Sequence, residues 1–394
     1  MKIRDIAVAG AGPSGLAMAL ILARQGRRVV VHERFDRPRP IGAGFMLQPT
    51  GLAVTDALGL TDRIEALARP IHHIFGRAHP TGRVVLDVRY DALARPRLAF
   101  GVQRSALFQV LYDACLEAGV DFETSWTVAG AEDGRLIRDD GTRSAAFDLV
   151  VDATGARSAI AASLGARPRM LEFGAVWTAV PWPDGAGFDP AALQQVYSRA
   201  DRMIGVMPIG ARPDDPRPAA AFFWSLKSRD HPAWLAAGAD AWKAEVLSLW
   251  PQTAPVLDAI LSLEAMTPAR YGHHTLLKPG GPRLAVIGDA AHSTSPQLGQ
   301  GVNMGLLDAF ALGQALTAHA DLDAAIRAYA AARRLHLWLY QTLSLVFTPV
   351  YQSDGRLLPW VRDHILGHIA RAPFAPRFLA ATVSGLLLDP RPKV

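Results

Sequence analysis

Apolar positions along this chain follow two periods, and the period switches at glycines and prolines. Residues 3–9 read as an apolar strand; residues 16–25 then have helical character and stop at Gly26. Residues 28–32 return to a strand that ends at Glu33. A helix is expected over 50–58, followed by short β-like runs at 71–75, 83–88 and 97–100 between Pro and Gly breaks. Val102, Gln103 and Arg104 open a helix with Leu107, Leu111, Ala114 and Leu116 at roughly helical spacing. Strands are expected at 120–126, 128–131, 136–138 and 148–153, with a turn at Asp139-Asp140-Gly141.

From about Gly165 the character changes. The runs 175–181, 193–198, 202–208 and 219–225 are β-rich, aromatic and broken by prolines, with helices expected at 241–250 and 253–262. A strand at 284–287 precedes a Gly-rich turn and a helix from Val302. Residues 323–347 then read as one long helix, with Ile326, Tyr329, Leu337, Tyr340 and Leu343 at roughly helical spacing. Pro349 is expected to break it, Asp354 to cap a further helix over 357–370, and a last helix to span 378–387.

Two of the strand-to-helix junctions carry chemistry. The first reads Gly10-Ala11-Gly12-Pro13-Ser14-Gly15 and lies between strand and helix, with Glu33 eighteen positions after Gly15. Gly10 suits the tight turn, Gly12 admits a pyrophosphate to the helix N-terminus, and Gly15 allows close helix–strand packing. Glu33 can accept from a ribose hydroxyl. This spacing indicates a dinucleotide and leaves NAD and FAD both open. The second junction places Asp289 at the end of a strand, then Gly299 and Gly301 where a flat ligand needs close backbone approach. The helix beginning near Val302 turns its N–H groups and positive dipole end toward that ligand, as the negative charge of a reduced flavin requires.

The stretch GDAAHSTSPQLGQGVNMGLLDA resembles the second FAD-binding motif of single-component flavin monooxygenases, the p-hydroxybenzoate hydroxylase-like class. The resemblance implies that Asp289 binds the ribityl or pyrophosphate part of FAD and that Pro296 lies against the flavin. It also implies that Gly299, Gly301, Val302 and Asn303 meet the pyrimidine edge. It places Arg34 near the adenosine, Gly42 and Gly44 in a loop under the flavin, and Arg104 on the pyrophosphate. The family's middle motif, Asp-Gly with a later Ser-x-x-Arg, falls at 154–161, where Thr154 replaces the Asp and Ala161 the Arg. That departure bears on how the nicotinamide cofactor is bound.

The fold class implied is α/β: a GxGxxG (Rossmann-like) FAD-binding domain with an inserted β-rich substrate domain and C-terminal helices. Residues 1–70, 100–164 and 272–322 make the first, 71–99 and 165–271 the second, and 323–394 the third. The implied reaction is NAD(P)H- and O2-dependent hydroxylation of a small phenolic or heteroaromatic substrate through a flavin hydroperoxide, with NAD(P)H visiting transiently. Epoxidation, oxidation of a larger polyketide- or quinone-like substrate, and a flavin-binding role without turnover stay open as alternatives. Trp177, Phe222, Phe223, Trp224 and Tyr271 are candidates for a pocket over the flavin. His72, His73, His273 and Tyr271 are candidates for a base that deprotonates a phenol.

Composition narrows the field. With 394 residues, half of them hydrophobic, the chain can bury a large core. The net charge of +5 comes with arginines spread along the sequence, so no nucleic-acid stripe is expected. The single cysteine, Cys115, allows no internal disulfide and reads as a packed small residue. His364 and His368 are four apart, yet Ile365 stands where a zinc-protease motif has Glu and no third ligand is near, so no metal is expected. No apolar run has membrane-spanning length. A cytoplasmic protein, monomer or homodimer, is the expectation.

Overall fold

The computed structural model of the chain describes residues 3–37, 43–94, 97–366 and 372–388. Two sheets organise it. The first has six strands in the order Gly280–Gly281, Leu284–Val286, Leu149–Asp152, Asp5–Ala9, Arg28–His32, Asp121–Glu123. All neighbours in it run parallel except the Gly280–Gly281 pair. A parallel sheet is buried on both faces, which is why these strands read as continuous apolar runs rather than alternating ones. Ile6, Val8, Val29, Val31, Leu149 and Val151 pack under the helices Pro13–Arg24, Arg104–Glu117 and Gly301–Ala318. Ala7, Ala9, Val30 and Val150 pack the other way, against Leu136 and Phe147.

The strand expected at 120–126 is only Asp121–Glu123. Ser125 turns with φ 55°, and Trp126 folds edge-on against His32 at 5.1 Å instead of extending the pairing. The run at 71–75 divides in two. Arg69–Ile71 joins a small sheet with Ala99–Gln103 and Gly44–Leu47, while His73–His79 enters the second large sheet. His72 lies at the break, its N–H donating to the Ala191 carbonyl.

That second sheet has seven strands: Thr267–Ala269, Phe173–Pro181, Asp215–Lys227, Arg202–Arg212, Ala192–Ser198, His73–His79 and Arg83–Arg89. Only the Ala192–Ser198 and His73–His79 pair is parallel. One face of the sheet is a tryptophan-rich core, where Phe222 and Trp224 meet Trp242 of the helix Ala239–Leu249 at ring distances of 6.0 and 6.5 Å. On the opposite face Leu193, Met207 and Phe223 pack with Met46 and Ile71 of the small sheet and with Ala380.

The C-terminal helices do more than pack. The helix Leu322–Tyr351 lies along Gly301–Ala318 and continues through Pro349, contrary to the expected break. The proline falls in the last turn, where one missing N–H removes little of the ladder. Asp354 does not cap the next helix, Leu357–Val361, and is ion-paired with Lys227 instead. The last helix is Ala375–Val383, three residues earlier than expected, with a proline in its first turn. His368 and Gly42 lie outside the described residues.

Candidate active site

The Gly-rich turn is built for a ligand's close approach. Gly10 has φ +98°, and a Cβ on it would stand 2.7 Å from the Ala153 carbonyl oxygen. A Cβ on Gly15 would stand 2.0 Å from the Gly10 oxygen, so the helix starts tight against the turn. Around Gly12, by contrast, a Cβ would meet nothing within 4 Å. The open side of the loop is therefore at Gly12, the N-cap of Pro13–Arg24, and no side chain caps that helix. Its first N–H groups face open space. Ser14 turns inward: the space it fills would collide with a side chain on Gly288 or Gly305. Glu33 is buried and accepts from the Ala11 N–H at 2.8 Å and the Phe35 N–H at 3.2 Å, tying the end of the second strand to the turn. Arg34 is exposed and stacks over Phe35 at 4.7 Å.

A second uncapped helix start, Gly301–Ala318, points into the same cleft behind the left-handed turn at Gly299, φ +61°. Asp289 stands beside it and, among the described residues, has no hydrogen bond or ion pair. Arg104 faces it from the start of its own helix. Both side chains are open to the cleft yet enclosed by protein. Burial pushes the Asp289 carboxyl up, and His292, Arg104 and His274 pull it down. Burial likewise lowers Arg104, against the pull of Asp289 and Tyr271. The Gln48 Nε2, buried without a partner, lies 3.4 Å from where a Gly299 Cβ would stand. An open cradle, two uncapped helix starts, an unpaired carboxylate and an orphaned amide together fit a dinucleotide with a polar ring edge.

Behind this cleft lies a fully buried charge network. Asp308 accepts from the Gly288 N–H at 2.9 Å, from Arg333 Nε at 2.8 Å and from His292 Nε2 at 2.5 Å. Burial alone would raise its pKa, but His292 and Arg333 hold it at about 2. Arg333 also touches His336 Nδ1 at 3.4 Å, and burial and that cation depress His336 to about 3. The network fixes the turn that presents Asp289.

Beyond Gly299 opens a cavity of about 380 Å³, walled by the seven-stranded sheet, the small sheet and the C-terminal helices. Trp177, Phe223 and Tyr271 line it, together with Arg104, Pro296 and Gly299. Trp177 Nε1 donates to the Tyr271 hydroxyl at 3.0 Å, and the Trp177 and Phe223 rings lie 4.5 Å apart. The cavity thus joins the cleft at the Pro296–Gly299 turn.

The family described as FAD binding domain matches residues 4–343, most of the chain. The protein belongs to this family, the FAD-dependent aromatic hydroxylases. It is 28% identical over 340 residues to an FAD-dependent urate hydroxylase of Klebsiella pneumoniae subsp. pneumoniae, covering 83% of this chain and 85% of that protein. It is 29% identical over 347 residues to the 3-hydroxybenzoate 6-hydroxylase of Klebsiella oxytoca, covering 84% and 83%. A putative 2-heptyl-3-hydroxy-4(1H)-quinolone synthase of Rhodococcus erythropolis is 28% identical over 345 residues, covering 83% of each chain. The fold matches tetrameric 2-methyl-3-hydroxypyridine-5-carboxylic acid oxygenase with a TM-score of 0.79, at 22% identity over 98% of this chain and 96% of that one.

The hydroxylase places its expected residues unevenly. The Asn303 side chain is fully buried. Its amide donates to the Met46 and Gly299 carbonyls and accepts from the Gln48 N–H, so only its backbone remains for a cofactor. Of the five aromatic candidates, Phe222 and Trp224 face the tryptophan core, away from the cavity. Among the base candidates, His72 is exposed, His73 pairs with Asp87 at 2.8 Å, and neither lines the cavity. His273 is buried behind the turn, where its Nε2 accepts from the Ser295 N–H at 3.3 Å. Tyr271 does line the cavity, with burial pushing its hydroxyl up to about 12. In the altered middle motif, Asp152 accepts from the Thr154 N–H and hydroxyl at 3.0 and 2.7 Å and also from Ser158. No group of His, Cys, Asp and Glu suited to a metal occurs among the described residues, and no described helix is long and apolar enough to cross a membrane.

Sequence reasoning missed the inner contribution of the last helices. Phe347, Tyr351, Leu379, Thr382 and Val383 wall the cavity. It also passed over Gln48, Gln195 and Tyr197. For the last two a signal existed: Leu193, Gln195 and Tyr197 sit at period two, so a polar residue shares a face with apolar ones.

Proposed function

We propose that this FAD-dependent monooxygenase hydroxylates a small aromatic substrate, phenolic or heteroaromatic, in the cavity above the Pro296–Gly299 turn. The overall change is ArH + O2 + NAD(P)H + H⁺ → ArOH + H2O + NAD(P)⁺. The observation that carries this reading is a partly enclosed, largely apolar cavity that shares Arg104 and the Pro296–Gly299 turn with the dinucleotide cleft. A volume of about 380 Å³ suits a one- or two-ring ligand.

FAD, when bound, supplies electron transfer and oxygen activation. The chain's residues supply the rest. Gly12, Glu33, Arg104 and Asp289 would hold the cofactor along the cleft. The start of the helix at Gly301 would stabilise negative charge at the ring's polar edge. Trp177, Phe223 and Tyr271 orient a flat substrate and keep water away from it. Tyr271 keeps its proton at neutral pH and can donate to a substrate oxygen, but it cannot serve as a base. Among the described residues no carboxylate or histidine lines the cavity, which favours a ring that reacts without enzymatic deprotonation.

The test is an anaerobic titration of the flavoprotein with NADPH, with and without a panel of phenols and hydroxylated N-heteroaromatics, followed by aerobic product analysis. The expected result is faster bleaching of the flavin with one aromatic, and a product that gains one oxygen atom. Bleaching unaffected by every aromatic, with no oxygenated product, overturns the reading.

A further inference from the structure

One hydrogen-bonded row of the seven-stranded sheet forms the cavity's roof. Reading across the strands, its members are Thr267, Trp177, Phe223, Gly205, Gln195, Gly76 and Leu86. Every non-glycine member lines the cavity. Adjacent strands lie about 4.8 Å apart, so the row is a flat shelf on which an aromatic ring can lie. Gln195 is its one amide. It is flanked on both sides by glycine, and both flanks are covered by rings. A Cβ on Gly205 would stand 2.0 Å from the Phe223 ring, and one on Gly76 2.7 Å from the Tyr197 ring.

We propose that Gln195 is a specificity-determining donor that holds an oxygen acceptor on the ring of a neutral aromatic substrate. The assignment rests on the hydroxylase reading of this cavity. Gln195 is nine-tenths buried, and its two amide ends have unequal partners. Oε1 accepts from the Tyr197 hydroxyl at 3.0 Å, while Nε2 has only the thioether sulfur of Met203 at 3.8 Å. A thioether is a weak acceptor, so the donor end is poorly satisfied. The orientation is set by the neighbouring side chains. Tyr197 is fully buried and its hydroxyl donates to Oε1, while the Met203 thioether at the other end has no proton to give and can only accept.

Its ring lies under the Arg362 guanidinium at 4.9 Å, and Arg362 is itself held by Asp363 at 2.7 Å and the Arg199 carbonyl at 2.8 Å. With Oε1 taken by the Tyr197 hydroxyl, the amide's N–H is the end left for a ligand in the cavity.

The same lining limits the ligand's charge. Among the described residues it includes one cation, Arg104, which faces Asp289 on the cofactor side, and no lysine or histidine. A carboxylate on the substrate would find no counter-charge at the Gln195 end of the shelf. A ring carbonyl or hydroxyl oxygen would complete the amide's hydrogen bonding, and a ligand without one would leave a buried N–H facing hydrocarbon.

The experiment measures equilibrium binding to the holoenzyme of 1-naphthol, naphthalene and 1-naphthoate, by tryptophan quenching and perturbation of the flavin absorbance. The native protein is expected to bind 1-naphthol tightest. Q195L should weaken 1-naphthol by about five- to tenfold, leave naphthalene unchanged, and so level the two. Y197F, which keeps the packing but frees the amide to turn, should give part of that loss, and melting curves confirm that both variants fold. An unchanged affinity for 1-naphthol in both variants overturns the proposal, as does native preference for 1-naphthoate or no binding of 1-naphthol. Because binding is read without turnover, a Gln195-dependent affinity with no stimulated flavin reduction would refute the hydroxylase reading alone.

Discussion

The two large sheets bring chemistry to the same cleft in different ways. The parallel sheet offers it at strand ends, through turns and helix starts in which backbone N–H groups and missing side chains would do the binding. The antiparallel sheet delivers it along its face, through side chains that alternate in and out. In the first, a function is local and keeps its spacing. In the second, Trp177, Phe223 and Gln195 share one row although they come from three strands far apart in sequence. A one-residue shift turns each of them to the other face. Phe222 and Trp224, each one step from Phe223, illustrate the point by joining the tryptophan core.

The difference can be sharpened by substitution. The largest effect is expected at Asp308. Asp308→Asn leaves the buried Arg333 without its carboxylate and should cost about 3–5 kcal/mol in chemical denaturation. A loss below about 1 kcal/mol would mean the network is dispensable to the cleft. Gly15→Val comes next. Its Cβ would lie 2.0 Å from the Gly10 oxygen, so the variant should lose about 2–4 kcal/mol of stability and purify largely without FAD; full flavin content would show that the turn can relax.

The same network gives a pH dependence. His336 in the folded protein has a pKa of about 3, below its ordinary 6.5. The unfolded chain therefore binds the extra proton first as the pH falls. Stability is fully present above pH 6.5 and declines toward pH 3, at up to about 1.4 kcal/mol per pH unit for this one group. Denaturant midpoints measured between pH 7 and 4 should fall, and His336→Asn should flatten that slope; equal slopes would remove His336 as its source. Smaller still is Asp289→Ala, expected to weaken FAD by about 1–3 kcal/mol with little change in melting temperature. Undiminished FAD affinity would take Asp289 out of the cofactor site. At the bottom of the scale, His72→Ala should leave the rate of substrate-stimulated flavin reduction unchanged, because His72 is exposed outside the cavity. A large fall in rate would bring back a base supplied from that strand.

Legibility in the sequence follows the same division. Gly10 and Gly15 announce the parallel sheet because each sits where a backbone constraint permits little else, and Glu33 because its carboxylate ties the second strand to the turn. Gly299, with φ +61°, is readable for the same reason as the two glycines. Asn303 was placed on the helix start, but its side chain holds neighbouring backbone, a role that spacing does not distinguish from ligand contact. The face of a strand depends on register across its neighbours, so three of five aromatics were sorted into the cavity only by the fold. The C-terminal helices gave no hint at all. Their inner residues are ordinary apolar positions at helical spacing, and only tertiary packing makes Phe347 or Leu379 a wall of the cavity rather than core.

That wall has a consequence for how the protein matures. The helix Ala375–Val383 is pinned by the Tyr340 hydroxyl donating to the Thr382 carbonyl at 2.9 Å, and it contributes Leu379, Thr382 and Val383 to the cavity. It follows every strand of both sheets in the chain. A ribosome releasing this polypeptide from its N-terminus can let the dinucleotide turn form early. The cavity acquires its last wall only after the helix at 375–383 emerges and docks, so during synthesis the dinucleotide turn precedes the completed cavity.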